Sequence, residues 1–500
     1  VMKKAKSIMI QGTASSVGKS LVVTALCRIF ALDGFKVAPF KSQNMALNSF
    51  VTRDGKEMSR AQAVQAFACN IEPSVLMNPI LLKPSSNTGS QVIIKGKVYG
   101  NMSAQEYQRF KSELRNIVKE AYEELSSQYD IVVIEGAGSP AEINLKDNDL
   151  VNMGMAEIAD CPVILVGDID KGGVFASIVG TMVLLEQRER KRVKGVIINK
   201  FRGDVEILKP GLVMLEKIIK RPVLGVIPYL NIHIDEEDSA TEYLKFSRED
   251  GNIDIGIIYL PHISNFTDFE PFYYIDGIKI RYIYNIETFG NPDLVIIPGT
   301  KNTIGDLLYL KTSGLYEEIK KYVQSGGTVI GICGGFQMLG KMVLDPYGIE
   351  SEIKESEGLG LLDIVTVIER EKITTQSEIR LESAPYILKG YEIHMGRTKS
   401  IGKNAVPFSR VVKRGEIECN EIDGYISIDH KVWGTYLHGI FDNEDFLKEL
   451  MSSLYRKKGL KDSIAIKSLK SIKTQQYDEL ARIVKNSLDM ESIYRIMGVR

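Results

Sequence analysis

The sequence predicts an α/β protein: two doubly wound α/β domains with a C-terminal helical tail. Three observations carry that expectation. Short β-branched apolar runs alternate with helix-length amphipathic segments up to about residue 230, and the alternation resumes after about residue 252. Runs of this kind read as parallel strands buried on both faces. Between them, "DEEDSATEYLKFSREDGN" (235–252) is charged, polar and without strand periodicity, so a domain boundary falls there. Each half also carries a glycine-rich turn directly after an apolar run, "GTASSVGKS" (12–20) and "GICGGF" (331–336). Ligands of open α/β sheets bind at such strand ends.

In the first domain, 1–235, strands are expected at 7–10, 36–39, 131–134, 162–166, 193–198 and 223–227. In the second, 252–445, they are expected at 253–259, 294–297 and 328–332, followed by more antiparallel-looking segments at 361–368 and 434–437. Helical spacing over 446–457 and 476–496 predicts that the remainder, 446–500, is a helical extension packed on one of the domains.

A chain of 500 residues is too long for one core, and its 44% hydrophobic and 25% charged composition is that of a soluble globular protein. A net charge of -1 gives no bulk attraction to nucleic acid, and no apolar run approaches the roughly 18 residues of a membrane span. Neither partner is expected. The apolar stretch after Val1-Met2-Lys3-Lys4 is cut short by Gln11 and Gly12, unlike a signal peptide, so a cytoplasmic location is expected. The five cysteines (Cys27, Cys69, Cys161, Cys333, Cys419) are scattered without a C-x-x-C pair, which disfavours a disulfide framework or a zinc site. Four read as small buried apolar residues. Cys333 does not.

The turn at 12–20 ends Gly18-Lys19-Ser20 between a strand and a helix, where successive backbone N–H groups and the positive helix end converge on an anion. Lys19 is expected to reach the β- and γ-phosphates of ATP, and Ser20 to ligate Mg²⁺. The metal needs a carboxylate at a neighbouring strand end; Glu135 in "IVVIEGAGSP" is placed for it, with Asp168 and Asp170 in "LVGDIDKGG" as rivals. Lys41, ending the second strand, adds a further cation. Gly12 lies one residue too far upstream for the usual phosphate-loop spacing. The resulting pattern, Gly12-Thr13 followed by Val17-Gly18-Lys19-Ser20, resembles the loop of the dethiobiotin synthetase superfamily, whose members phosphorylate a carboxylate and trap the acyl phosphate with nitrogen.

In the second domain Cys333 stands on a strand-to-helix elbow, exposed at a helix N-terminus and beside backbone N–H groups suited to an oxyanion. A thiolate nucleophile needs a base. Among the five histidines, His438 in "GTYLHGIFDN" follows a strand and is favoured over His394 in "GYEIHMGR". The elbow resembles the class I (triad) glutamine amidotransferases, and "DLVIIPGTKN" (293–302) is similar to their oxyanion and glutamine pocket. Those enzymes continue His-Pro-Glu; here Gly439-Ile440 follows, so the third triad member is expected to be missing, with either a weaker glutaminase or a backbone or solvent partner for the imidazole.

Seven segments, "APFKSQNMALNS", "NPILLKP", "EGAGSPAEINL", "GDIDKGGVFAS", "INKFRGD", "GYEIHMGRT" and "YLHGIFDN", together resemble the cobyric acid synthase family of cobalamin biosynthesis. The resemblance implies ATP- and glutamine-dependent amidation of the b, d, e and g carboxylates of a corrinoid, adenosylcobyrinic acid a,c-diamide. It further implies that Asp147 faces the corrinoid and that Asn199 contacts adenine. Ammonia made at one site and used at another implies a shielded path. The rivals are a cobyrinic acid a,c-diamide synthase, a partition-type ATPase, which would leave Cys333 and His438 without purpose, and a ligase fed by free ammonia.

Overall fold

The computed structural model describes residues 4–84, 89–146, 148–232, 248, 250–461 and 466–499. The chain divides into two compact units, one of Val1–Ala46, Glu57–Asp238 and Lys470–Arg500, the other of Leu47–Lys56 and Ser239–Leu469. Most of the charged stretch 235–252 lies outside the described residues.

All six strands expected in the first half form one sheet, in the order Val223–Pro228, Val193–Phe201, Val163–Asp168, Lys6–Gly12, Ile131–Glu135, Val37–Phe40, and every pairing is parallel. The order reverses around Lys6–Gly12, so the C-terminal ends of that strand and its neighbours form the crevice where a ligand is expected. The strand residues Ile8 and Ile10 and the helix residues Val22, Val23 and Leu26 are fully buried, which anchors the turn between them. A four-stranded sheet over Gln43–Met45, Ile80–Pro84, Gly89–Ile94 and Lys97–Ser103 was not expected. Its strands hold only short apolar runs, Ile80–Leu82 and Val92–Ile94, broken off by polar residues or glycine, so none shows the apolar alternation that reveals a half-buried strand.

The second unit is built on an eleven-stranded sheet. Its parallel half runs Ile278–Ile283, Ile253–Ile258, Leu294–Ile297, Val329–Ile332, Val432–Thr435. The last of these was read as antiparallel in character; it is parallel to the Cys333 strand and antiparallel only to Ile417–Ile426. Ile278–Ile283 escaped the sequence reading because Lys279 and Arg281 interrupt its apolar run. The long strands Ile364–Leu381 and Ile387–Ser400 form an antiparallel pair at the other half.

The tail is not one body. Helix Glu444–Lys457 belongs to the second unit, whereas Leu469–Ser487 and Met490–Met497 pack, through Tyr477, Leu480, Val484 and Ile493, into the core of the first. Asp489 separates the last two helices by capping the second, its side chain accepting from the Ser492 N–H at 3.0 Å.

Candidate active site

Strand Lys6–Gly12 delivers the phosphate loop to helix Lys19–Leu32. Gly12 ends that strand opposite Val166, and the Thr13 N–H donates to the Val166 carbonyl at 3.0 Å. Gly18 caps the helix with φ 92°, and a Cβ there would lie 2.1 Å from Asn199 Nδ2, so only glycine fits. Asn199 Nδ2 donates to the Val17 carbonyl at 2.8 Å and Lys200 Nζ to that of Ser16 at 2.6 Å. These two side chains pin the loop from the neighbouring strand. Lys19 is buried and its Nζ donates to the Ala14 and Gly138 carbonyls, at 3.0 and 3.2 Å.

Ser20 Oγ donates to Glu135 Oε1 at 2.8 Å, Lys41 Nζ lies 3.0 Å from the same oxygen, and Gln65 Nε2 donates to Oε2 at 2.5 Å. Burial pushes the Glu135 carboxyl up, but Lys41, Gln65 and Ser20 outweigh it and hold the group below the ordinary carboxylate range. Ser20 and Glu135 offer two hard oxygens, the donor chemistry that suits Mg²⁺ when phosphates complete its shell. The rivals are engaged elsewhere: Asp168 pairs with Lys200 at 3.2 Å and Asp170 with Arg202 at 2.9 Å. Asp147 lies outside the described residues. Its neighbours Lys146 and Asn148 line a groove of about 1010 Å³ that also borders Gly138 and Ser139.

In the second unit, strand Val329–Ile332 delivers Cys333 onto an elbow with φ 51° and ψ −107°, a strained conformation of the kind that nucleophile elbows store. The turn is tight: a Cβ on Gly335 would lie 2.0 Å from the Ile297 carbonyl oxygen. Segment 293–302 therefore lies against the elbow through Ile297 and Pro298. One helical turn on, Gln337 accepts from the Thr303 hydroxyl at 2.9 Å.

His438 is fully buried, follows strand Val432–Thr435 and lies close enough to Cys333 for the two to interact electrostatically. Its Nδ1 lies 2.7 Å from Asp268 Oδ2, and the Gly439 N–H donates to Asp268 Oδ1 at 2.9 Å. This corrects the expectation that the third triad member is missing: the carboxylate comes from 170 residues upstream instead of following the histidine. Burial pulls the His438 imidazole down, but the Asp268 charge, joined by that of Cys333 once it is a thiolate, outweighs burial and carries it up to about 10. His394 is employed otherwise. It faces Glu392 at 3.3 Å and the Gly396 carbonyl at 2.9 Å, and it stacks on Tyr436.

Sequence reasoning missed Asp268, Gln65, Lys200 and Gln337. "NFTDFEP", which holds Asp268, has no local pattern that announces a triad partner. The spacing Cys333-x-x-x-Gln337, one helical turn, was the signal available for Gln337.

Two families match. The one described as "CobQ/CobB/MinD/ParA nucleotide binding domain" covers residues 8–240, and the "CobB/CobQ-like glutamine amidotransferase domain" covers 254–446. Relatives named "Cobyric acid synthase" include one from Caldanaerobacter subterraneus subsp. tengcongensis, 58% identical with 99% of each chain covered. Another, from Thermoanaerobacter sp., is 57% identical, again over 99% of each. That from Clostridium novyi is 56% identical over 99% of this chain and 98% of its own. No helix among the described residues is long and apolar enough to cross a membrane. With both domains present and this identity over its length, the chain belongs to the cobyric acid synthase family and is a glutamine-dependent ligase.

Proposed function

We propose that this chain amidates the b, d, e and g carboxylates of adenosylcobyrinic acid a,c-diamide, each through an acyl phosphate made with ATP and an amide nitrogen released from glutamine. The observation that carries the reading is the Cys333–His438–Asp268 constellation in a chain that also holds the Lys19–Ser20–Glu135 phosphate site. Neither alone calls for the other; together they describe carboxylate activation supplied with ammonia.

In the second unit Asp268 holds a proton on His438 Nδ1, leaving Nε2 to take the Cys333 proton. The thiolate attacks the glutamine amide carbon, the C–N bond breaks, and His438 returns its proton to the departing ammonia. Water then hydrolyses the thioester to glutamate and regenerates the thiol. In the first unit Lys19 and the loop N–H groups bind the phosphates, and a corrinoid carboxylate oxygen attacks the γ-phosphorus as ADP leaves. Ammonia displaces phosphate from the acyl phosphate. Mg²⁺, held by Ser20 and Glu135, would supply charge neutralisation at the β- and γ-phosphates. We assign Lys41 to the same phosphates and Asn199 to the adenine side of the loop. Asp147, in the segment bordering the groove, is assigned to the corrinoid. Lys111, Arg115, Lys191 and Lys194 give that groove cations suited to a polycarboxylate. Free cysteines at all five positions support a reducing, cytoplasmic setting.

Replacing Cys333 by Ala should abolish amidation with glutamine and preserve it with ammonium chloride. Glutamine-supported turnover in that variant would overturn the nitrogen route.

A further inference from the structure

The segment Leu47–Lys56 is part of the second unit although the chain reaches it from Ala46 and leaves it to Glu57, both of the first. It contains the last residues of "APFKSQNMALNS", one of the segments that carry the family resemblance. Asn48 and Ser49 are buried against the loop that carries Asp268. Asn48 Oδ1 accepts from the Phe266 N–H at 3.2 Å, and the Ser49 N–H donates to Asn265 Oδ1 at 3.1 Å. Val51 packs with Tyr391 and Ile393. Tyr391 stacks on the His438 ring with centroids 5.1 Å apart, and the Ile393 carbonyl lies 3.8 Å from Cys333 Sγ.

Asn265 is the link. It is buried, sits in the left-handed region at φ 53°, and its Nδ2 lies 3.3 Å from His438 Nε2. A backbone N–H can only donate, so the Ser49 N–H fixes which end of the Asn265 amide is the oxygen. The NH₂ end is thereby turned to His438. The groups facing His438 are then Asp268 at Nδ1, the Asn265 amide at Nε2, the Tyr391 ring on one face, and Cys333 near enough to act on its charge.

We propose that Asn265, held by the Ser49 N–H on a loop that Asn48 braces through Phe266, is a positioning residue that keeps His438 Nε2 an acceptor and so restrains formation of the Cys333 thiolate–His438 imidazolium pair. When the Cys333 proton moves to Nε2, an imidazolium N–H comes to face an amide N–H, and the pair is disfavoured. Residues 47–56, within the second unit, thus have a hold on the ammonia-generating base. The inference rests on the glutaminase reading above.

The test is the pH dependence of Cys333 alkylation by iodoacetamide, read at the Cys333 peptide by mass spectrometry, alongside glutamate release from glutamine, in the full chain. Asn265→Gly accepts the left-handed backbone and removes the donor; Asn265→Asp replaces it with an acceptor. The titration assigned to His438 should move to higher pH by about half a unit or more in the Gly variant, and further in the Asp variant. Asn48→Ala should shift it the same way by less, and Asn48→Ala with Asn265→Gly should shift it no further than Asn265→Gly alone. A role in folding alone would change the melting temperature without this order. An unmoved or lowered titration in the Gly variant, or additive shifts in the double variant, would overturn the proposal. If the unaltered chain releases no glutamate from glutamine, the glutaminase reading itself fails, which is a separate result.

Discussion

Replacing Asp268 by Asn should disable the glutaminase while sparing the synthetase. Two effects add. The Asp268 charge helps carry His438 to about 10 from an ordinary 6.5 against the opposing pull of burial. Losing that charge removes the main support of the imidazolium that forms as Cys333 gives up its proton, so the barrier to thiolate formation rises. The second effect is the tautomer. Asp268 accepts two hydrogen bonds, from the Gly439 N–H and from His438 Nδ1, at 2.9 and 2.7 Å. Asparagine has one oxygen. If that oxygen stays with the Gly439 N–H, its NH₂ faces Nδ1 and the ring proton moves to Nε2, leaving no base for Cys333. Together these place the loss of glutaminase kcat between about 10² and 10⁴. Glutamate release should be measured beside ammonium-supported amidation, which should stay as in the unaltered chain, and thermal melting, which should fall for the second unit as the buried pair is broken. Glutaminase activity within fivefold of the unaltered chain would refute the triad assignment.

Lys19→Ala removes the loop's cation and should abolish amidation with either glutamine or ammonium; product formation from either would refute the phosphate-site reading. Gly335→Ala forces a Cβ to 2.0 Å from the Ile297 carbonyl and should destabilise the second unit by about 1–3 kcal/mol and erase glutaminase activity, a result that calorimetry and glutamate release would show together. Burial and the Glu392 charge raise the buried Asp423 carboxyl to about 6 from 3.8. Between those two values the folded state keeps a proton that the unfolded state releases, so this group makes stability fall as pH rises, by about 3 kcal/mol in all. Asp423→Asn should therefore flatten the decline in melting temperature of the second unit from pH 4 to pH 7, and an unchanged slope would contradict the assignment.

The parallel sheets were legible because their strands are buried on both faces and read as unbroken apolar runs; Ile8, Ile10, Ile131 and Val133 leave little else for those segments to be. Ile278–Ile283 and the small sheet after Gln43 were not, since a half-exposed strand carrying Lys279 or Gly100 reads as loop or helix face. The same contrast runs through the sites. Lys19, Ser20 and Cys333 sit in contiguous patterns that a turn imposes. Asp268 and Asn265 act on His438 across about 170 residues of chain, through packing that no local spacing records. The tail divides between units for a similar reason: helical periodicity marks which face is apolar without naming the surface that covers it.

One chain is proposed to carry four carboxylates of a corrinoid to amides at the expense of ATP and glutamine. The most direct measurement is the mass spectrum of adenosylcobyrinic acid a,c-diamide incubated with the purified chain, ATP, Mg²⁺ and glutamine. Four successive amidations are the predicted result. A product that stops at one or two amides, or a corrinoid returned unchanged while glutamine is consumed, would contradict it.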